Sequence, residues 1–563
     1  MYVVNDKLMK EIDCCSIDKV GIPSMVLMEN AARSVVKHII NNLTNNFPNI
    51  IIICGNGNNG GDGVCIARIL HEMGYNTDVY MVSKSSNVTS ETRQQINIAK
   101  YCGVKFIDDL NIDNYDIVID AIFGIGLTRN VSGDYYEIID KINNSKKVVY
   151  SVDIPSGISA QTGKVMGIAV RANYTITFGL CKIGLLLYPG KEYAGEVIIE
   201  DIGFPQKVIE SVCEKDAYNI YTKDSFQSYL PQRVKYSNKG NYGKVLVIAG
   251  TKNMAGACCM SAKAAYKMGA GLVRVFTSES NRIIVQEVVP EAVVTTYEHE
   301  QYDLEVEKNV KNDDIIACTD KLYKNFQLEL KKLEKAIDWA STIVIGPGLG
   351  MGESSKCIVL HTFEYIKNKY HNSIPIIVDA DAINILAKEE YIELRNCILT
   401  PHLKELSRLI DESMDFVKNN IYNPRCMYKK LLEKYKNCID INESEQNNSN
   451  RIDTNESKEN YNGCVLVIKD AVTMTVDNKK IYINNSGNNG MATGGSGDVL
   501  SGIIAGLVAT GCSNNIAASL GVYIHGLCGD MYTKDYSVYS LNATDLLSYI
   551  EKVIGGISNE EVL

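Results

Sequence analysis

Short runs of β-branched and aliphatic residues recur along this chain, each closing on glycine or an acidic residue and leading into a helical pattern. The clearest begin at Asn49, Tyr115, Lys147, Lys244, Thr342 and Ile374. They are continuously apolar rather than alternating, as strands buried on both faces are. Such strands, separated by helices, build a parallel sheet covered on each side. Ligands of these sheets bind beyond the carboxyl ends of the strands, so the polar residues that close each run carry the functional argument. At 563 residues the chain exceeds one ordinary core, and two or three domains are expected. The polar segment from Tyr221 to Gly243 precedes a fresh strand and marks the expected boundary, giving domains over 1–219 and 220–563. A second irregular stretch, from about Lys434 to Asn462, is rich in Asn, Glu and Ser and has little apolar surface to bury. It reads as a disordered surface insertion without a function of its own.

Composition narrows the class of partner. A net charge of −10 argues against bulk nucleic acid, while a few backbone amides suffice for small phosphorylated ligands. The opening MYVVNDKLMKEID carries charges throughout and lacks the apolar stretch of a secretion signal. No uncharged run approaches a membrane span. A cytoplasmic protein is expected, without nucleic-acid or membrane partners and assembled as a homo-oligomer. The seventeen cysteines include no CxxC and the seven histidines no HExxH, which disfavours zinc. Buried free thiols in a reducing compartment, as at Cys54 and Cys181, are the expectation.

In the amino-terminal half, GNGNNGGDG from Gly55 to Gly63 sits between an apolar strand and a helix. Glycines permit close backbone approach to a ligand, and helix-start amides favour phosphate. Asn58, Asn59 and Asp62 add side-chain oxygens that a plain turn does not need. Asp120 ends the second run and opens the loop that contains Arg129; Asp153 ends the third and begins DIPSG, with Ser156 three residues on. Asn59, Asp120 and Ser156 are thereby available as hard oxygen ligands for one cation. A single strand-end Asp is more often a helix cap, but three such ends in one sheet favour a site.

Together with DAIFGIGLTR and TITFGLCKIGLLLYPGKEYAGEVIIEDIG, these motifs resemble the NAD(P)H-hydrate epimerase family over essentially residues 1–215. The resemblance implies a Rossmann-like three-layer domain. It also implies that the hydrated cofactor is held by Asn58, Asn59, Gly60, Gly61 and Asp62, by Gly124, Ile125, Gly126, Leu127, Thr128, Arg129 and Asn130, and by Asp153. Potassium is implied at Asn59, Asp120 and Ser156, with Asp153 and Lys182 as the proton-transfer candidates. A messenger-RNA decapping scaffold shares the domain type, but such a scaffold has an eroded site and binding tails that this chain lacks.

The most specific pattern lies in the other half, from Asn488 through MATGGSGDVLSGIIAGLVATG. Small residues end in Gly-Ser-Gly-Asp and enter an apolar helix beginning near Val499. The amides of Gly495, Ser496 and Gly497 form an anion hole for a transferring phosphoryl group, and Asp498 is placed to take a proton from an acceptor hydroxyl. With KGNYGKVLVIAG, GPGLG, IIVDADAINILA, LTPHLKEL and VLVIKDAVTMTV, the half resembles the ribokinase-like fold and, within it, the NAD(P)H-hydrate dehydratases. The resemblance implies hydrate contacts from Ala257, Gly348, His402 and Asp498, and nucleotide contacts from Lys469, Asp470, Ala471, Val472, Thr473 and Gly497. Lys404 and Asp470 stand where the family carries glycine, which threatens two loop conformations and puts a charge near phosphate.

A coherent chemistry follows. Hydration leaves a hydroxyl on C6 of the nicotinamide ring in two epimers. Phosphorylation by ADP or ATP, with magnesium, converts it to a good leaving group, with Asp498 as base. The partner domain would supply the S epimer. The rival readings are a small-molecule kinase that stops at the phosphoester and a non-catalytic amino-terminal scaffold.

Overall fold

The computed structural model describes residues 1–43, 47–83, 87–222, 225–298, 315–389, 391–435 and 463–558. Two compact units emerge, Met1–Asn219 and Ile220–Leu563. Most of the stretch read as a surface insertion, 436–462, lies outside the described residues. Its first two residues do not belong to a loose loop. Lys434 ends the Pro424–Lys434 helix, and buried Tyr435 donates its hydroxyl proton to the Leu386 carbonyl at 2.9 Å. The expected start at Lys434 is therefore at least two residues too early.

Besides the short strands β1 (Tyr2–Val4), β8 (Cys181–Lys182) and β10 (Tyr218–Asn219), the first unit is built on β2 (Ile50–Cys54), β3 (Thr77–Met81), β4 (Lys105–Ile107), β5 (Ile117–Ala121), β6 (Val148–Val152), β7 (Tyr174–Phe178) and β9 (Glu196–Glu200). Among the described residues these seven form one parallel sheet in the order β4-β3-β2-β5-β6-β7-β9. The isoleucines of β2 show why the strand is apolar throughout. Ile50 and Ile52 join the core on one face, with Val35 and Val64 of the Ser24–Asn41 and Asn58–Glu72 helices. Ile51 and Ile53 join the core on the other, with Ile138 and Ile142 of the Asp134–Asn144 helix. Each fully buried side chain of this size contributes about 1.5–3 kcal/mol, so both faces must be covered. The result is three layers.

In the second unit the order is β13-β12-β11-β14-β15-β16-β17-β18-β19 among the described residues. The strands are β11 (Lys244–Ile248), β12 (Leu272–Ser278), β13 (Val293–Tyr297), β14 (Thr342–Ile345), β15 (Ile376–Val378), β16 (Cys397–Leu399), β17 (Val465–Ile468), β18 (Met474–Val476) and β19 (Ile481–Ile483). The sheet is parallel from β13 to β17 and turns antiparallel at β18 and β19. All six runs singled out in the sequence are strands. The boundary segment is only partly a linker, because Tyr221 is buried, stacks on Tyr482 and bonds Ser519.

Candidate functional sites

In each unit the strand order reverses at one point, where the chain leaves neighbouring strands in opposite directions. In the first unit β2 leads outward to β3 and β4, whereas β5 leads the other way to β6, β7 and β9. The crevice beyond β2 and β5 is the expected ligand position, and the motif residues collect there. The glycines of GNGNNGGDG serve packing more than turn-making. The helix starts at Asn58, so Gly60, Gly61 and Gly63 lie inside it, and a Cβ on Gly60 would sit 1.9 Å from the Gly55 carbonyl oxygen. One on Gly63 would meet Ala121 at 2.5 Å. The helix is thus drawn onto the strand ends, with Asn58, Asn59 and Asp62 in its first turns.

Asp120, fully buried, accepts hydrogen bonds from the Ser156 hydroxyl (2.5 Å) and amide (2.9 Å), the Ser151 hydroxyl (2.8 Å) and the Ile122 amide (3.3 Å). Burial pushes its carboxyl up, and these donors pull it back. The Ser156 oxygen in turn accepts from the Phe123 amide at 2.8 Å. The Asn59 amide packs against Gly124, and its terminal Nδ2 is buried without a partner. A carboxylate, a hydroxyl and an orphaned amide end, whose N and O assignment is interchangeable, fit a hard monovalent cation.

A cavity of about 190 Å3 opens beside this cluster, lined by Asn58, Asp62, Ile125, Asp153 and Lys182 among others. Lys182, only 1% exposed, donates to Asp153 Oδ1 at 2.6 Å, Thr177 Oγ1 at 3.0 Å and the Phe178 carbonyl at 2.8 Å. All three ammonium protons are committed. Asp153 holds φ +68°, a conformation that strains a residue other than glycine. Asp62 is pushed well up, first by burial and then by Asp153 and Asp13. Gly126, Thr128, Arg129 and Asn130 lie on an exposed stretch, with Leu127 half-buried among them.

The second unit reverses between β11 and β14. There Gly250 donates to the Pro347 carbonyl at 2.9 Å and Thr251 to the Gly348 carbonyl at 2.7 Å. Gly348 has φ +57°, and a Cβ on it would lie 2.9 Å from that of Ala257, so these two residues adjoin. The Ser496–Ala509 helix starts a little earlier than the sequence suggests. Gly495 caps it with φ +89°; the Ser496 amide reaches back to the Thr493 carbonyl at 3.4 Å, and the other first-turn amides have no preceding helical turn to bond. Asp498 falls in that turn. Burial, then the charge of Asp379, pushes its carboxyl up to about 7.

Asp379 was not singled out in the sequence, although it ends β15 as Asp120 and Asp153 end their runs. It accepts from Lys469 Nζ at 2.6 Å and from the Ser501 hydroxyl at 2.6 Å. A Cβ on Gly497 would lie 3.4 Å from that ammonium. One carboxylate thus joins Lys469 to the helix that carries Asp498. His402 and Lys469 are bridge partners at the ends of adjacent strands. His402 Nδ1 accepts from the Lys404 and Glu405 amides, so the ring caps the Leu403–Leu409 helix, and its Nε2 lies 3.3 Å from Glu405. Burial and Lys469 lower the His402 imidazole, and burial raises Glu405 to about 7. Lys404 is exposed in the helix's first turn and Asp470 is exposed at the strand end, neither with positive φ. Losing glycine therefore distorts neither loop. Ala471 is exposed, Val472 is buried, and Thr473 donates to the Asp470 carbonyl at 3.4 Å. His525, buried and held neutral with a value of about 4, lies 3.3 Å from the Ser496 hydroxyl.

The sequence matches two family models: YjeF-related protein N-terminus over residues 24–184, and NAD(P)H-hydrate dehydratase over residues 245–552. The chain is similar along its whole length to the "Bifunctional NAD(P)H-hydrate repair enzyme Nnr" of Thermofilum pendens, at 31% identity with 97% of that protein covered. The protein of the same name from Coxiella burnetii is 32% identical over 98% of each chain. Among solved structures, an ADP/ATP-dependent NAD(P)H-hydrate dehydratase from Bacillus subtilis, co-crystallised with ATP/Mg2+, matches 61% of this chain and 99% of its own. The identity is 24% and the TM-score 0.44.

Proposed function

The chain belongs to the family of bifunctional NAD(P)H-hydrate repair enzymes, and from that premise we propose how its two units divide the work. The first unit, residues 1–219, interconverts the R and S hydrates of NADH and NADPH. The second, ribokinase-like unit, residues 220–563, dehydrates the S epimer at the expense of ADP or ATP.

The observation that carries this reading is the placing of Asp498. It lies one residue beyond Gly497 in the first turn of a glycine-capped helix, with the Lys469–Asp379 pair alongside. The C6 hydroxyl of the hydrate gives its proton to Asp498 as its oxygen bonds the terminal phosphorus of the nucleotide. The bond from that phosphorus to the nucleotide breaks, leaving AMP from ADP or ADP from ATP. The ring nitrogen's lone pair then expels phosphate from C6, and loss of the C5 proton restores the dihydropyridine. The amides of Gly495, Ser496 and Gly497 receive the transferring group, with Lys469 to Thr473 along the nucleotide. Ala257, Gly348 and His402 border the hydrate. Magnesium, arriving with the nucleotide, would neutralise phosphate charge during the transfer, and Asp381, close to Asp498 and less committed than Asp379, would be the carboxylate to hold it.

In the first unit, Asn58 to Asp62, Gly124 to Asn130 and Asp153 hold the hydrate. Asp153 moves the proton, and Lys182 fixes its carboxylate. Potassium at Asn59, Asp120 and Ser156 supplies fixed positive charge when bound. The chain works in the cytoplasm, a reading supported by its free described cysteines, including the vicinal Cys258 and Cys259. Exposed Ile283 and Ile284 favour assembly as a homo-oligomer.

The test is direct. The purified chain receives mixed hydrates with ADP or ATP, and absorbance of the reduced nicotinamide is followed. Complete recovery from both epimers is expected. A phosphoester that accumulates would overturn the dehydratase reading, and recovery that stops at the S fraction would overturn the epimerase one.

A further inference from the structure

The Asp6–Cys14 helix and the wider π-turn that continues it, Cys15–Val20, lie outside the matched amino-terminal family region, yet they form a wall of the first unit's cavity. Met9, Asp13 and Ile17 recur at helical spacing and all line it. Leu8, Met9 and Ile12 bury the apolar side of this helix, so a carboxylate between Met9 and Ile17 breaks the pattern that the helix otherwise keeps. Such violations are expected where a side chain serves chemistry rather than folding. No hydrogen bond or ion pair engages the Asp13 carboxylate among the described residues. Lys182, the cation of the cavity, has no proton left to give it.

Resting on the epimerase reading of this unit, we propose that Asp13 is a second proton-transfer group, acting on the hydrate from the Asp6–Cys14 helix while Asp153 acts from the end of β6. Inversion at C6 asks for a group on each face of the ring. One carboxyl gives its proton to the C6 hydroxyl as the C6–O bond breaks, and the ring nitrogen's lone pair forms the C=N bond of an iminium ion with release of water. Water then adds to C6 from the opposite face and gives its proton to the other carboxylate. One proton is delivered and one recovered, nothing is oxidised or reduced, and the reverse conversion uses the same two groups with roles exchanged. The surroundings suit Asp13 to the acid role. Burial and then Asp153 raise its carboxyl, Asp18 and Glu91 add to the rise, and Lys182 opposes it. Asp62 lines the same cavity.

The full chain is supplied with pure R hydrate and no nucleotide, and formation of the S epimer is followed by chromatography against the spontaneous rate. Asp13→Asn should lower kcat by about a hundredfold or more, the worth of a positioned acid–base group, while KM stays within about threefold. Asp13→Glu should recover part of the loss, and Asp13→Asn should unfold no earlier than wild type because it removes a half-buried charge. Epimerisation by Asp13→Asn at more than about a third of the wild-type kcat, or a loss confined to KM, would overturn the assignment. A wild-type chain that leaves the R hydrate unchanged would instead remove the epimerase reading, and this inference with it.

Discussion

As the proposed base, Asp498 must be ionised to take a proton, and its surroundings set the pH at which that happens. With its carboxyl pushed up to about 7 by burial and Asp379, about a tenth is ionised at pH 6. Dehydration at saturating nucleotide should therefore rise about tenfold between pH 6 and pH 8 and then level off. The same shift costs stability. A raised carboxyl binds its proton more tightly in the folded chain, so its contribution is full below about pH 4 and is lost as pH rises through 7. Asp498→Asn removes that cost: the second unit should melt about 2–8 °C higher than wild type at pH 8, with the gap closing towards pH 4. Dehydration should meanwhile fall by roughly two to four orders of magnitude with nucleotide binding retained, and a variant that still restores NADH at near the wild-type rate would refute the mechanism. Asp120 makes a parallel case. Asp120→Asn keeps the shape of the buried cluster but loses its charge, so any stimulation of epimerisation by potassium should disappear; equal potassium dependence in both proteins would remove Asp120 as a ligand. Asp120 was legible because it closes an apolar run, and Asp498 because it follows Gly-Ser-Gly and opens one. Asp379 closes one too, but its role is set by Lys469 and Ser501, 90 and 122 residues away, and sequence distance hides that pairing.

The element that carries Asp498 is held in place by missing side chains. A Cβ on Gly502 would come within 2.2 Å of the Ser261 carbonyl oxygen and 2.6 Å of the Ala264 Cβ, and one on Gly506 within 2.5 Å of the Met268 Cβ. The Ser496–Ala509 and Ala255–Lys267 helices thus meet backbone to backbone, and the Ser261 hydroxyl crosses that contact to the Asp498 carbonyl at 2.9 Å. Gly502→Ala cannot be absorbed by a rotamer change, because the obstacle is backbone. It should cost about 1–3 kcal/mol by forcing the helices apart. Because the displaced helix carries Asp498, the proposed base, kcat for dehydration at 25 °C, where the protein is still folded, should fall by about tenfold. Thermal unfolding and single-temperature kinetics on the same preparation check both halves; wild-type melting would show that the contact yields easily. The small residues of SGIIAG are visible in the sequence, but which helix they admit is a fact of packing. In GNGNNGGDG the opposite error arises. The glycines suggest a loop open to ligand, and the structure uses Gly60 and Gly63 to seat a helix on strand ends, leaving Asn58 and Asp62 on the cavity and Asn59 against the Gly124 loop.

At the scale of the whole molecule, the Asn-rich run 436–462 has little apolar surface to bury and should be dispensable. Replacing 436–462 by a short Gly/Ser linker should leave melting and dehydration at wild-type values, since long loops add little closure entropy. Extending the excision to Lys434 and Tyr435 should destabilise the second unit, because the Lys434 ammonium reaches the Ala387 carbonyl and the Tyr435 hydroxyl the Leu386 carbonyl. Composition could not separate these two anchors from the Asn-rich run that follows them. The two activities share one molecule, the S hydrate, and this gives the decisive test of their division. Asp153→Asn should leave pure R hydrate unconverted beyond its spontaneous epimerisation, even with nucleotide present, while still restoring NADH from the S epimer. Asp498→Asn should equilibrate R and S and yield no NADH. Neither variant alone recovers the cofactor from R hydrate faster than spontaneous epimerisation allows, but their mixture should do so, because the epimer made by one chain diffuses to the other. Recovery should also quicken as both concentrations rise together, as a two-enzyme sequence in free solution requires. If the mixture stays as inactive as its parts while the wild-type chain succeeds at the same concentration, the S hydrate does not leave the chain that made it, and the fusion transfers its intermediate internally rather than merely co-producing two enzymes.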